Sequence, residues 1–199
     1  MTLQQSDSSW EQYQRNVADA IAEAGVPLIV EYAPPLFDHP QFIEAAARRV
    51  EECLIQFLQH HRSQTVIVFT AHSIPTSDAF SERYVQQLNT SAERVAKRLD
   101  DPTWLLAYQS RSGRPQDPWL EPDINDTLRL LAGRNVTHVL VVPIGFLCDH
   151  VEVLYDLDIQ AAQTAKELGI TLLRAKTVND DDTFIEALAD VVMRVIHDG

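Results

Sequence analysis

Short apolar runs rich in β-branched residues alternate with longer amphipathic stretches along almost the whole chain. Five runs are predicted as strands, at residues 27–32, 65–70, 104–108, 136–142 and 171–174, and helices are predicted before, between and after them. Strands separated by helices cannot pair as hairpins, so the sheet is expected to be parallel with right-handed crossovers. The predicted fold class is α/β, a three-layer, doubly wound parallel sheet. Ligands of such sheets bind outside the carboxyl ends of the strands.

The charge balance excludes several classes of partner. Lys plus Arg is 16 and Asp plus Glu is 29, so the formal net charge is −13. Nucleic acids and anionic membrane surfaces both require a basic face, so neither is expected as a partner. No apolar run approaches the ~18 residues of a membrane span, and the N-terminus lacks the features of a signal peptide. With only two cysteines, the sequence is typical of a cytoplasmic protein.

The second predicted strand is followed directly by a histidine, in the run Thr70-Ala-His72-Ser73. At the carboxyl end of a buried strand, the imidazole of His72 either faces the ligand crevice or fixes the following turn through a backbone hydrogen bond. The position alone leaves both interpretations open.

A second group of polar residues follows the fourth predicted strand and opens a helix. Glu152, Asp156 and Gln160 are spaced four apart, which places them on one face of an α-helix. Such a stripe is usually a solvated face. Glu152 nevertheless lies in the first turn, near the expected crevice, where a series of carboxylates could move protons or a hard cation. One imidazole and one carboxylate are too few for a structural zinc site, so His72 and Glu152 together favour transient metal handling or proton transfer.

Other candidate residues are weaker. Trp119 lies in a proline-rich loop over the strand ends and either anchors that loop or stacks on a flat ligand. Tyr13 lies near the start of the first helix, in the core or facing the crevice. Neither Cys53 nor Cys148 belongs to a C-x-x-C pair, which argues against an iron–sulfur cluster. The motifs of serine hydrolases and of nucleotide-binding loops are absent.

Several collinear segments of this sequence resemble the ferrochelatase family, in its order and spacing, from about Tyr13 to the C-terminus. The segments are residues 68–75, 108–110, 117–123, 142–146, 149–156 and 179–188. The Asp-Pro-Trp loop and the His-Val-Glu-Val-Leu-Tyr-Asp helix are most similar to the bacterial, soluble branch that uses coproporphyrin.

The resemblance implies a lyase-type metal chelatase that inserts Fe²⁺ into a porphyrin, coproporphyrin III or protoporphyrin IX, in haem biosynthesis. It implies that His72 binds iron or takes pyrrole protons, and that Glu152 is its metal-binding and acid/base partner. Asp156 is implied as the next metal-binding residue of the acidic series, whereas Gln160 replaces a usually acidic position and weakens an outer metal site. The implied porphyrin contacts are Tyr13, Trp119 and Phe146. No cofactor is required, and no iron–sulfur cluster is expected.

Members of this family have two similar α/β lobes, with the porphyrin between them. By this resemblance residues 1–60 are a remnant of the N-terminal lobe with crossover helices, and residues 61–199 are a nearly complete C-terminal chelatase-like domain. The rest of the N-terminal lobe is then an expected partner. The alternatives are a non-catalytic tetrapyrrole- or metal-binding module, a chelatase for another metal and tetrapyrrole, and a doubly wound domain that binds something unrelated.

Overall fold

A four-stranded parallel sheet forms the centre of the protein, which is described here by a computed structural model over residues 3–114 and 116–198. The strands are β1 (Val66–His72), β2 (Trp104–Gln109), β3 (His138–Val142) and β4 (Thr171–Arg174). Their order in the sheet is β2-β1-β3-β4, and each neighbouring pair is parallel. The predicted α/β class with a parallel sheet is therefore confirmed.

Helices precede, connect and follow the strands. The α-helices are α1 (Gln12–Ala24), α2 (Pro40–Leu54), α3 (Gln59–Arg62), α4 (Ser81–Arg98), α5 (Ile124–Gly133), α6 (Val151–Val153), α7 (Ala162–Glu167) and α8 (Asp182–Asp198). Two segments are π-helical, π1 (Asp7–Glu11) and π2 (Leu154–Ala161). Within the described ranges, no helix combines the length and apolar character needed to cross a membrane.

Both faces of the sheet are buried, which explains why the strands are continuously apolar. Along β1, Ile67 and Phe69 belong to one hydrophobic cluster, which includes Phe42 of α2. The intervening Val68 belongs to a second cluster, which includes Leu128 of α5. Alternate residues of one strand thus pack into opposite layers, because successive side chains point to opposite faces. The result is the predicted three-layer arrangement.

The strand predicted at residues 27–32 does not form. This segment has no regular secondary structure and joins no sheet in the described part of the chain, and Ile29 is 95% exposed. A strand needs a neighbour to pair its backbone groups, and the sheet of this chain ends at β2 and β4 instead. The β-branched pattern was therefore misleading, because it reports the residues' preference and not the presence of a pairing partner. Helix α2 packs against α4 and α8, and the domain boundary at residue 60 stays a prediction.

The helix predicted after β3, over residues 149–168, is not a uniform α-helix. It starts as α6, continues as the eight-residue π2 segment and ends as α7. In π-helical geometry the hydrogen bonds join residues five apart, so the regular α-helix expected over the whole segment is interrupted. The expectation that Glu152, Asp156 and Gln160 share one face stays a prediction.

The order of the strands creates one position that favours ligand binding. From β1 the chain moves to β2 on one side, and from β3 it moves to β4 on the other side. The connections therefore diverge between β1 and β3, at the topological switch point of the sheet. Side chains at the carboxyl ends of these two strands border a crevice.

Candidate active site

The structure brings His72 and Glu152 together at this switch point. His72 is the last residue of β1, and Glu152 lies in the first turn after the loop that follows β3. The Oε1 atom of Glu152 is 4.0 Å from Nε2 of His72. The His72 side chain is 34% exposed, and the Glu152 side chain is 54% exposed. They are eighty positions apart in the sequence, so the pairing of β1 with β3 is what makes them neighbours.

A backbone hydrogen bond orients the His72 ring. Its Nδ1 lies 2.5 Å from the carbonyl oxygen of Ser73. A carbonyl can only accept, so Nδ1 must carry the proton and the neutral ring must leave Nε2 as an acceptor. The two interpretations of this histidine are thus not exclusive, because one nitrogen fixes the turn and the other faces Glu152.

We expect NMR to show this tautomer. In long-range ¹H–¹⁵N spectra recorded where the imidazole rings are neutral, Nδ1 of His72 should give a pyrrole-like ¹⁵N shift. Its Nε2 should give a pyridine-like ¹⁵N shift. His60, which is exposed on α3, provides a comparison in the same spectrum. Equal populations of both tautomers at His72 would contradict the assignment.

His72 and Glu152 border a cleft of about 330 Å³. The cleft is lined by Ser6, Ser8, Ser9, His72, Ile74, Tyr84, Gly145, Phe146, Leu147, Cys148, His150 and Glu152. The buried Tyr84 donates its hydroxyl to the carbonyl oxygen of His72 at 3.0 Å. Burial, with smaller contributions from Tyr108 and Asp78, raises the pKa of the Tyr84 phenol above its usual range. The phenol therefore stays protonated and remains a donor that holds the end of β1.

The cleft depends on a close approach between the loop after β3 and the end of β1. At Gly145 a Cβ atom would lie 2.5 Å from the Cβ of Ala71 and 2.9 Å from its Cα. The Gly145 amide also donates to the carbonyl oxygen of Thr70 at 3.1 Å. The absence of a side chain at this position thus lets the loop after β3 contact the end of β1.

Of the other predicted site residues, Phe146 lines the cleft and Asp156 does not. Phe146 lines the cleft and makes an edge-to-face contact with His150 at 5.2 Å between ring centroids. Asp156 does not line the cleft, but accepts hydrogen bonds from the Ser110 hydroxyl and, at 3.4 Å, from the Gln109 amide. Asp156 is therefore tied to the carboxyl end of β2. The Oε1 atom of Gln109 is buried there without a hydrogen-bond partner.

Tyr13 and Trp119 lie away from the lining of the cleft. Tyr13 is 59% exposed on α1. Trp119 is half-buried, pairs through its backbone with Pro75, and packs its ring against Gly113. Gln160 is exposed. The cleft as described therefore contains three of the predicted site residues, namely His72, Phe146 and Glu152.

Sequence reasoning missed several lining residues. His150 and Cys148 both face the cleft from the loop after β3, and the N-terminal serines border it from the other side. His150 could have been found, because it lies two residues before Glu152 in the same motif. The serines carry no sequence signal, since their position depends on how the N-terminal segment packs.

The donor set is too sparse for a tightly held metal ion. In the described part of the chain, no group of three or more His, Cys, Asp or Glu side chains is arranged to hold a metal. A pair of donors that is partly open to solvent can bind a cation weakly and release it.

Comparisons with known proteins agree with this architecture. Two solved structures of sirohydrochlorin chelatase SirB share the fold. The cobalt complex from Bacillus subtilis subspecies spizizenii gives a TM-score of 0.66 at 12% identity and covers 97% of this chain and 65% of that one. The Bacillus subtilis protein with Fe³⁺ gives a TM-score of 0.69 at 10% identity, covering 97% and 68%.

Sequence relatives are more similar. A ferrochelatase of Herpetosiphon aurantiacus is 39% identical over 181 residues, covering 90% of this chain and 59% of the relative. A coproporphyrin III ferrochelatase of Tropheryma whipplei is 39% identical over 206 residues, covering 94% and 52%. A ferrochelatase of Thermus thermophilus is 41% identical over 182 residues, covering 91% and 56%.

The chain thus spans little more than half the length of these curated relatives. A family model described as Ferrochelatase matches residues 1–196, which is nearly the whole chain. With this match, and with a chelatase-type fold around the His72–Glu152 cleft, the chain belongs to the ferrochelatase family.

Proposed function

We propose that this chain is the cleft-bearing part of an enzyme that inserts Fe²⁺ into a porphyrin, coproporphyrin III or protoporphyrin IX. The observation that carries the proposal is the 4.0 Å approach of His72 Nε2 and Glu152 Oε1 at the switch point of the sheet. The names of the relatives support a porphyrin substrate, and one of them is a coproporphyrin III ferrochelatase.

The chemistry requires a base and a path for protons. When a divalent ion enters a porphyrin, four metal–nitrogen bonds form, two pyrrole N–H bonds break, and two protons leave. His72 is suited to accept a pyrrole proton, because its Nε2 is the unprotonated nitrogen of the neutral ring. Glu152 is the adjacent carboxylate that can take the proton on or attract the incoming cation.

The remaining predicted residues have supporting roles in this proposal. Asp156 extends the acidic series beyond Glu152, toward Ser110 at the end of β2. Phe146 supplies an apolar wall of the cleft against which a macrocycle can pack. Tyr13 and Trp119 remain predicted porphyrin contacts, although they do not line the cleft of this chain. Imidazole and carboxylate donors suit Fe²⁺ and related divalent ions.

A second candidate is binding of a tetrapyrrole or metal without turnover. The observation in its favour is that the chain spans only 52–59% of the relatives' length. Turnover needs a site that excludes water, and this candidate assigns part of that enclosure to protein outside this sequence. The cleft would then bind the macrocycle on one face only.

Spectroscopy under anaerobic conditions tests both candidates. The purified chain is titrated into coproporphyrin III and, separately, protoporphyrin IX, and Fe²⁺ is then added while free-porphyrin fluorescence is followed. We expect a Soret shift on binding and steady loss of fluorescence after Fe²⁺ is added. A Soret shift without metal insertion would support the binding module. If neither porphyrin shifts the Soret band, a porphyrin function for this chain is wrong, and Co²⁺ with sirohydrochlorin is the comparison for another chelatase activity.

A further inference from the structure

The loop after β3 carries most of one side of the cleft and determines where Glu152 lies. Gly145, Phe146, Leu147, Cys148 and His150 all line the cleft. Within the described residues, His72 is the only ion-pair partner of the Glu152 carboxylate. The carboxylate is therefore not held by its own contacts, and its position depends on where this loop starts helix α6.

A second loop, after β4, holds the first one. The backbone N–H of Asn179 donates a hydrogen bond to the carbonyl oxygen of Leu147 at 2.9 Å. Its side chain pairs reciprocally with Asp149, accepting from the Asp149 backbone N–H at 3.1 Å and donating to Oδ2 at 3.2 Å. Asn179 thus takes part in three hydrogen bonds with Leu147 and Asp149, the residues on either side of Cys148 in the cleft loop.

Arg174 adds a charged contact to the Asp149 carboxylate. It donates from Nη1 to Asp149 at 2.9 Å, and from Nε and Nη2 to Asp158 of π2 at 2.6 and 2.9 Å. The side chains of Arg174 and Asp149 are only 13% and 19% exposed, so water screens the contact between them weakly. Arg174 thereby connects the loop before Glu152 with the helical segment after it.

Asn179 has a backbone conformation that suits this role. Its φ is 47°, in the left-handed region that asparagine and glycine adopt more readily than other residues. This conformation lets the main-chain N–H reach Leu147 while the side chain reaches Asp149.

We propose that Asn179, with Arg174, is a positioning residue that acts through Asp149 to hold Glu152 against His72. The residues of the loop after β4 do not line the cleft, so their effect is indirect. The catalytic consequence rests on the proposed function, whereas the structural consequence, the placement of Glu152 relative to His72, does not.

The variant Asn179→Gly tests the proposal, because glycine accepts the left-handed backbone and removes only the side-chain hydrogen bonds. Asn135→Gly is the matched control, since Asn135 has a φ of 59° and lies exposed before β3, at the opposite end of the sheet. Both variants are made in the parent chain and in a chain that carries Glu152→Gln.

The first measurement is independent of metal insertion. In the parent, Glu152→Gln should change the chemical shifts of the His72 ring, which reports the proximity of the carboxylate. We expect Asn179→Gly to reduce this change by at least about half, and Asn135→Gly to leave it intact. An unaltered response of His72 in the Asn179→Gly background would overturn the proposal, whether or not the chain inserts metal.

The second measurement is a double-mutant cycle on metal insertion. Asn179→Gly should lower kcat about tenfold in the parent, the magnitude typical of residues that orient a metal-binding group, and by less than about twofold when Glu152→Gln is already present. The KM for porphyrin should stay within about twofold, because the cleft-lining side chains are unchanged. Equal losses in both backgrounds would mean a merely structural role.

Asp149→Asn provides a second variant if Asn179→Gly does not fold, since it keeps the size of the side chain and removes the charge that Arg174 contacts. The same two measurements apply to it, with the same expected direction. Absence of metal insertion in the parent would count against the proposed function alone, because the His72 response would still decide the positioning of Glu152.

Discussion

Replacing His72 with alanine is expected to lower the rate of Fe²⁺ insertion by about a thousandfold, as befits the loss of a general base that also faces the cation. Among the described residues that line the cleft, the other imidazole is that of His150, whose ring packs edge-on against Phe146. The rate is measured anaerobically from the loss of coproporphyrin III fluorescence. The fold should persist, because the His72 side chain is 34% exposed and its ring hydrogen-bonds locally, to the neighbouring Ser73 carbonyl.

Two controls make this result specific. His197→Ala removes an exposed imidazole near the end of α8 and should leave the rate unchanged. Added imidazole should restore part of the activity of His72→Ala, because a free base can enter the space that the side chain leaves. Turnover at the parental rate in His72→Ala would refute the assignment of this residue.

Gly145→Ala is expected to destabilise the protein by about 1–3 kcal/mol, the usual cost of forcing extra atoms into a packed position. The added Cβ would lie 2.5 Å from the Cβ of Ala71 and 2.9 Å from its Cα. Ala71 is fully buried in β1, so backbone must move to relieve the contact. His72 follows Ala71 directly, so metal insertion should also fall. Urea unfolding measures the change in the free energy of unfolding.

Gly133→Ala is the matched control for this variant. Gly133 ends α5, and a Cβ there would meet no atom within 4 Å. Because alanine is the better helix former, the free energy of unfolding should stay the same or rise by up to about 1 kcal/mol. If Gly145→Ala were as stable as Gly133→Ala, the close approach of the cleft loop to β1 would not be a real constraint.

Much of the fold could be predicted, because it depends on local patterns. The apolar run that became β1 is continuous since both of its faces are covered, and this property is visible in the sequence. The segment at residues 27–32 has a similar pattern but forms no strand. The difference between them is the presence of a neighbouring strand, which no local pattern reports.

The candidate site was predictable to the extent that strand ends are predictable. His72 follows a recognisable strand, and Glu152 follows the loop after another, so both were expected at one edge of a parallel sheet. The pairing of Asp156 with Ser110 was not predictable, because it depends on the π-helical geometry of residues 154–161 and on the register of β2. The role of Asn179 depends on two loops meeting, and the sequence shows only its motif.

The sequence by itself therefore determined the layered α/β architecture, the strand that ends in His72 and the family, because hydrophobic periodicity and motif spacing are local or collinear properties. Tertiary structure alone decided that His72 and Glu152 are 4.0 Å apart, that Asp156 turns toward β2, and that the loop after β4 holds the loop that carries Glu152. These distances follow from the order β2-β1-β3-β4 and from packing between segments remote in the chain. A residue's own neighbours in sequence do not specify which distant backbone will lie against it.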